Sequence, residues 1–211
     1  MGQKVNPISF RLETSDNSPS WQSSWYANKK NFPKLLIQDK KIRDFLQKKL
    51  YSAGVVAIRI ERSTKKIKIL LVVSRPGLVI GRGGKEIQAT KKQLRRILSD
   101  SKIEIDIPVE EFKNADLSAK LIAEKIAYQL TKRMPYRRIV NGAMERSINS
   151  GAKGVKIVLS GRINGAEISR RVKFSQGKVP LSTIRSQIDY HQCPSLTRSG
   201  YIGVKVYLCI A

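Results

Sequence analysis

The chain predicts an α+β fold laid out as two successive units. Three observations carry this expectation. Apolar residues switch repeatedly between helical and strand spacing. A glycine cluster, Gly81, Gly83 and Gly84, interrupts the first half between two helical stretches. In the second half, two helical stretches in a row are followed by glycine-punctuated strands, the order of a helix layer on a sheet. With 211 residues, 41% of them hydrophobic, the chain can build one large or two small cores.

Residues 1–34 are polar and turn-forming, with Trp21, Trp25, Tyr26 and Phe32 interspersed, and read as an arm. From 38 to 50, Ile42, Phe45, Leu46 and Leu50 recur at helical spacing, with Asp39 near the expected start. Residues 55–63 and 65–74 read as two strands, and the short Ser63-Thr64 connection predicts a hairpin. After the glycine turn, Ile87, Leu94 and Leu98 form one side of a helix over 85–98, and the other sides carry Lys91, Lys92, Arg95 and Arg96. Residues 101–110 alternate through Ile103, Ile105, Ile107 and Val109, a third strand. The unit is α-β-β-α-β, with the glycine turn set between two short helices. It ends near residues 108–114.

In the second unit, Asp116 is the expected cap of a helix running to about residue 133, broken by Pro135. A second helix covers 136–149. The stretches 155–161, 162–177, 178–190 and 200–210 read as strands, with a short helix at 166–170.

Charge narrows the function. The 41 Lys and Arg against 16 Asp and Glu give a formal +25, which a polyanionic partner relieves, and nucleic acid is the commonest polyanion. Seventeen of these cations fall within residues 40–99, against three acids, Asp44, Glu61 and Glu86. Cys193, Cys209 and the single His191 match no metal spacing, so no metal or cofactor is expected. With few thiols and no signal-peptide core, a reducing compartment is expected. No run of about eighteen apolar residues exists to span a membrane.

The glycine turn admits three readings. A phosphate-binding P-loop would need glycine at Val79 and a hydroxyl at Glu86, and a dinucleotide fingerprint would need glycine at Glu86. Both fail on residue identity. The third reading is a KH loop, a G-x-x-G turn joining two helices against which a nucleic-acid backbone comes close. Gly81-Arg82-Gly83-Gly84 has that spacing, Arg82 can reach a phosphate, and Lys85 adds charge at the helix start. Small residues at 81 and 84 would leave the strand room. A plain helix–helix corner is the simpler alternative.

Catalytic constellations are few. Asp106, Glu110 and Glu111 lie close in sequence, but alternation separates neighbouring side chains. His191 near Asp189 has no nucleophile set beside it. The chain reads as no enzyme. Arg137 and Arg138 begin a helix and point about 100° apart, so they can touch two phosphates. Arg162, Arg170, Arg171 and Arg185 form another set of phosphate-facing candidates, together with Lys4.

The blocks "MGQKVNP" and "FRL", "RPGLVIGRGGKEI", "GAKGVKIVLSGRINGAEISR", "GKVPLSTIRSQIDY" and "GYIGVKVYL" occur in this order across nearly the whole chain. In them the chain resembles the bacterial-type family of the third protein of the small ribosomal subunit. The resemblance implies a type II KH domain (α-β-β-α-α-β) over 35–110 and, over 111–211, an α+β domain with two helices on a mostly antiparallel sheet. It implies a structural role in the head of the small subunit, with contacts to rRNA, to messenger RNA at its entrance, and to small-subunit proteins ten and fourteen, protein five lying nearby. It also implies passive help in unwinding messenger, without nucleotide hydrolysis. Gly81, Arg82, Gly83, Gly84 and Lys85 match the family's KH loop, and Arg137 and Arg138 its paired arginines at the messenger entrance. The family usually continues with a lysine one turn on. Here Asn141 stands there, followed by Gly142, and Lys132 or Arg146 would have to compensate. A bacterial ribosome is the expected location, an organellar ribosome encoded in its organelle the alternative. A free KH-domain RNA-binding or chaperone protein is the competing function. A DNA-repair nuclease or lyase is a third, for which no lysine or carboxylate site can be nominated.

Overall fold

The computed structural model describes residues 4–12, 21–63, 66–98 and 104–210. Within these, residues 21–113 form one unit, and residues 4–12 with 114–210 form another. The stretch 1–34, read above as one arm, is therefore shared between the two. Expectations that fall on Met1, Gly2, Thr64 and Ile103 lie outside the described residues.

In the first unit, α1 (Phe32–Lys49) starts earlier than its apolar spacing suggested, because Pro33 in the first turn presets the helical φ. Asp39 is consequently inside the helix. It is 2% exposed and accepts hydrogen bonds from Ser23 Oγ (3.2 Å), Trp25 Nε1 (2.8 Å) and Arg62 Nε (2.7 Å). This carboxylate holds β1 (Ser23–Ser24) beside β2 (Val55–Arg62), to which β1 pairs in parallel. β2 runs antiparallel to β3 (Lys66–Val73), with a register shift between Val55 and Ala57 that brings Val55, Ile58 and Ile60 to the same buried side. The third strand predicted over 101–110 is divided. β4 (Glu104–Asp106) and β5 (Val109–Glu111) both pair in parallel with β3, and Pro108, which has no N–H to give the ladder, stands between them. α2 (Pro76–Ile80) and α3 (Lys85–Leu98) flank the glycine turn, completing α-β-β-α-α-β. The core draws Ile42 and Leu46 from α1, Leu94 and Leu98 from α3, and Ile60, Ile67, Ile69 and Leu71 from the sheet.

In the second unit, α4 (Ala119–Thr131) and α5 (Tyr136–Asn149) precede an antiparallel sheet. Its strands are β6 (Gly154–Gly161), β7 (Arg170–Gly177), β8 (Ile188–Thr197) and β9 (Gly200–Cys209), in the order β7-β6-β9-β8. Asp116 does not cap α4. It lies in a 3₁₀ turn, Ala115–Leu117, and the carboxylate that accepts the first helical N–H is Asp189 of β8, at 2.7 Å from Ala119 N. The predicted helix at 166–170 is instead a 3₁₀ turn, Ile163–Gly165, followed by the start of β7. Residues 178–187 are irregular, so the strand expected over 178–190 begins only at Ile188. Alternate residues of β6 and β9 (Val155, Ile157 and Leu159; Val204, Val206 and Leu208) face α4 and α5. Residues 4–12 join this unit through Arg11, which is 5% exposed. Its Nη1 donates to Pro7 O (3.0 Å), and its Nη2 lies 3.2, 2.8 and 2.8 Å from the carbonyls of Pro180, Leu181 and Thr183.

Candidate nucleic-acid interface

The glycine turn is built from left-handed backbone. Gly81 has φ +70, Gly83 φ +61 and Gly84 φ +74, all in the region that favours glycine. The chain leaves α2, makes a 3₁₀ turn, Arg82–Gly84, and enters α3 directly at Lys85. The room these glycines provide is needed first within the chain itself. A Cβ at Gly81 would lie 2.7 and 2.8 Å from Cγ and Cβ of Glu86, whereas one at Gly83 would meet nothing within 4 Å. Arg82 and Lys85 are exposed, as are Lys92, Arg95 and Arg96 along α3. Among the described residues none of these five makes an ion pair or a side-chain hydrogen bond. Lys91 differs, since its ammonium lies 3.7 Å from Asp106 Oδ1. The turn therefore presents free cations beside the N-terminal N–H groups of a 14-residue helix, an arrangement that attracts phosphate. Leu78 and Ile80, both exposed on α2, add an apolar shoulder.

The second set of candidates surrounds the α4–α5 turn. Lys132 follows α4, and its ammonium sits 4.5 Å from the Tyr128 ring centroid. Arg133 takes φ +60, and Pro135 then redirects the chain into α5. Arg137 and Arg138 are exposed in the first turn of α5. Buried Tyr136 anchors that turn against Phe174 (6.2 Å between centroids), and Arg137 Nε donates to its hydroxyl at 3.3 Å. Asn141 is exposed one turn on. Arg146 is half-buried, with Nε 3.8 Å from Asp116 Oδ1, an ion pair longer than a hydrogen bond, and that Nε has no hydrogen-bond partner among the described residues. Arg138, Asn141, Glu145 and Arg146 border a groove of about 470 Å³.

The remaining candidates are dispersed. Lys4 is exposed. Arg162 donates to Ala166 O at 2.8 Å and shares a groove of about 590 Å³ with Arg133 and Arg198. Arg170 and Arg171 are adjacent in β7 and point to opposite faces. Arg185 is exposed in the irregular stretch before β8. Lys156, Lys173, Lys205, Arg133 and Arg198 are further exposed or half-exposed cations that residue order does not single out. In a chain so rich in cations nothing local marks them. Cross-strand register could have singled out the three lysines, but it was not known.

His191 is half-buried on β8, and its pKa is lowered by burial and then by Lys120, against the opposing pull of Asp189. Asp189 is occupied at the start of α4. Among the described residues no group of three or more His, Cys, Asp or Glu could hold a metal ion, and no helix is long and apolar enough to cross a membrane.

Comparison with known proteins returns two family models. Residues 41–117 match the KH domain, and residues 126–208 match the model described as "Ribosomal protein S3, C-terminal domain". Among curated relatives, the "Small ribosomal subunit protein uS3" of Protochlamydia amoebophila is 47% identical over 208 residues, covering 99% of this chain and 94% of the relative. The proteins of the same name from Desulforamulus reducens and Methylacidiphilum infernorum are each 43% identical, covering 99% of this chain and 91% and 95% of their own lengths.

Proposed function

Because the chain belongs to the bacterial-type family of small ribosomal subunit protein uS3, we propose that it is a structural component of the small ribosomal subunit that binds rRNA and helps form the entrance of the messenger channel. The full-length match carries the assignment. The unpaired cations Arg82, Lys85, Lys92, Arg95 and Arg96 support RNA as the ligand, because phosphate contacts hold and orient RNA without reading its sequence. The chain neutralises converging phosphates and works by position, with no bond made or broken.

In this reading the loop Gly81-Arg82-Gly83-Gly84-Lys85 approaches an RNA backbone, while Lys92, Arg95 and Arg96 extend the contact along α3. Arg137, hydrogen-bonded to the anchored Tyr136, and exposed Arg138 grip messenger electrostatically and resist its secondary structure passively. With Asn141 in place of the family's lysine, exposed Lys132 and half-buried Arg146 are the cations left to assist them. Lys4, Lys91, Arg162, Arg170, Arg171 and Arg185 contribute rRNA contacts, Lys91 least because Asp106 holds it. Neighbours are small-subunit proteins ten and fourteen, with five across the entrance, in the ribosome of a bacterium or of an organelle that encodes the chain.

Sedimentation tests the assignment. The chain should migrate stoichiometrically with small subunits, whereas a free KH-domain RNA-binding protein would stay at the top of the gradient. Replacing Arg137 and Arg138 by Ala should slow translation of structured messenger several-fold more than that of unstructured messenger. An equal effect on both would remove the unwinding role.

A further inference from the structure

The face of the four-stranded sheet turned away from α4 and α5 holds cations that neither the glycine turn nor the start of α5 uses. Cross-strand register places them. Val155, Ile157 and Leu159 of β6 point into the core, so Lys156, Val158 and Ser160 point out. Val158, 2% exposed at the centre of this face, is flanked by Lys173 of β7 and Lys205 of β9. Lys156 is paired with Tyr207, which is paired in turn with Tyr190 of β8. On the other side of Val158, Ser160 faces Arg171.

Three physical features set this face apart from scattered surface charge. The cations converge, and among the described residues no Asp or Glu occupies an outward position on these strands. The Lys156 ammonium has its pKa lowered by burial and then by Lys4, Lys173 and Arg171, so bringing these positive charges together has a cost within the chain. Two tyrosine rings lie side by side at one end, 4.8 Å between centroids and 37° apart, with the Lys156 ammonium 5.9 Å from the Tyr207 ring. Outward residues repeat about every 7 Å along a strand, with the next strand about 4.8 Å away, so the face offers a grid of donors and not a single point. A polyanion answers all of this, and the half-exposed aromatic pair is surface on which an unpaired base can stack.

We propose that this outer sheet face is an RNA-docking surface, on which Arg171, Lys173, Lys156 and Lys205 receive sugar-phosphate oxygens and the Tyr190–Tyr207 pair borders an unpaired base. The inference rests on the reading of the chain as an rRNA-binding subunit component and adds a surface to it. A benzophenone amino acid in place of exposed Ser175, which pairs with Lys156, tests it inside intact small subunits with every cation and both tyrosines retained. Crosslinks should form to rRNA. Crosslinks to protein alone, as an acidic protein segment on this face would give, or no RNA crosslink at all, overturn the proposal. As a second measurement, the full chain carrying Lys156→Gln, Lys173→Gln and Lys205→Gln should bind a head-domain rRNA transcript about ten-fold more weakly at moderate salt. Its salt slope should fall by about 2, since each lost phosphate contact removes about 0.7–0.9. Unchanged affinity and slope overturn the docking surface while cosedimentation of the wild-type chain leaves the ribosomal reading standing. Failure of the wild-type chain itself to cosediment removes both.

Discussion

At Gly81 and Gly83 the same residue type serves two different needs. Both have positive φ, but only Gly81 is pressed against a neighbour, the Glu86 side chain. Gly81→Ala should therefore destabilise the first unit by about 1–3 kcal/mol from backbone strain alone, because φ +70 with ψ 178 is a region only glycine enters readily, with the contact adding to it. Gly83→Asn should cost well under 1 kcal/mol, because Asn tolerates the left-handed region. Urea unfolding of the full chain measures both. Gly83→Asp is accordingly the cleaner probe of RNA contact, since it brings a negative charge to the loop without a clash and should weaken RNA crosslinks there while the fold persists. Arg11 shows the opposite situation, a cation with a purely internal task. Its guanidinium gathers four carbonyls, so Arg11→Met should cost the second unit about 3 kcal/mol or more by leaving buried acceptors unmatched. Arg11→Lys should rescue little, because a point charge does not reproduce the fork.

Among the elements, α4 and β8 share a group of titratable side chains. Burial, then Lys120, depress the His191 pKa below its ordinary 6.5, while burial raises the Glu124 carboxyl above 4.5 against the opposing pull of Lys120. The signs differ. Below pH 6.5 the unfolded chain binds the His191 proton more readily than the folded one, so stability falls as pH drops from about 7 toward the depressed folded value. Glu124 acts in a window opening upward from 4.5, where the folded carboxyl takes up a proton first and stability recovers as pH falls toward 4.5. His191→Gln should flatten the loss just below pH 6.5 and leave the Glu124 window unchanged, as read from urea midpoints across pH 4–8. The same pair of elements explains a misreading. Asp116 has the residue type and position of a helix cap, yet Asp189, 70 residues from Ala119, satisfies the first N–H. Capping by a distant strand leaves no trace in local order.

For the molecule as a whole, each unit has its own hydrophobic core, and both carry cations without matching acids. Salt should therefore act in opposite directions on two observables. Raising it from about 0.05 to 0.5 M should raise the melting temperature of the free chain by screening self-repulsion, and should lower rRNA affinity by orders of magnitude through lost counterion release. A melting series and a binding series on the same preparation check both signs.

Residue order alone disclosed whatever is periodic, additive or tied to one residue type. The α-β-β-α-β order of the first unit was readable because apolar spacing reports which side of a helix or strand is buried, whereas the five-residue α2 is too short to show a period and came with the family resemblance. The glycine turn was readable because left-handed backbone calls for glycine, and the RNA-binding character because net charge is a sum. Contacts between distant segments stayed hidden, because they depend on which strand lies beside which. Residues 4–12 fasten to the second unit through Arg11 and the carbonyls of 180–183, and 21–25 to the first through Asp39. The outward lysines of β6, β7 and β9 become one surface only when the strand registers bring them together. Burial and charge crowding are properties of neighbours in space, and those neighbours come into being only when the sheet closes on its helices.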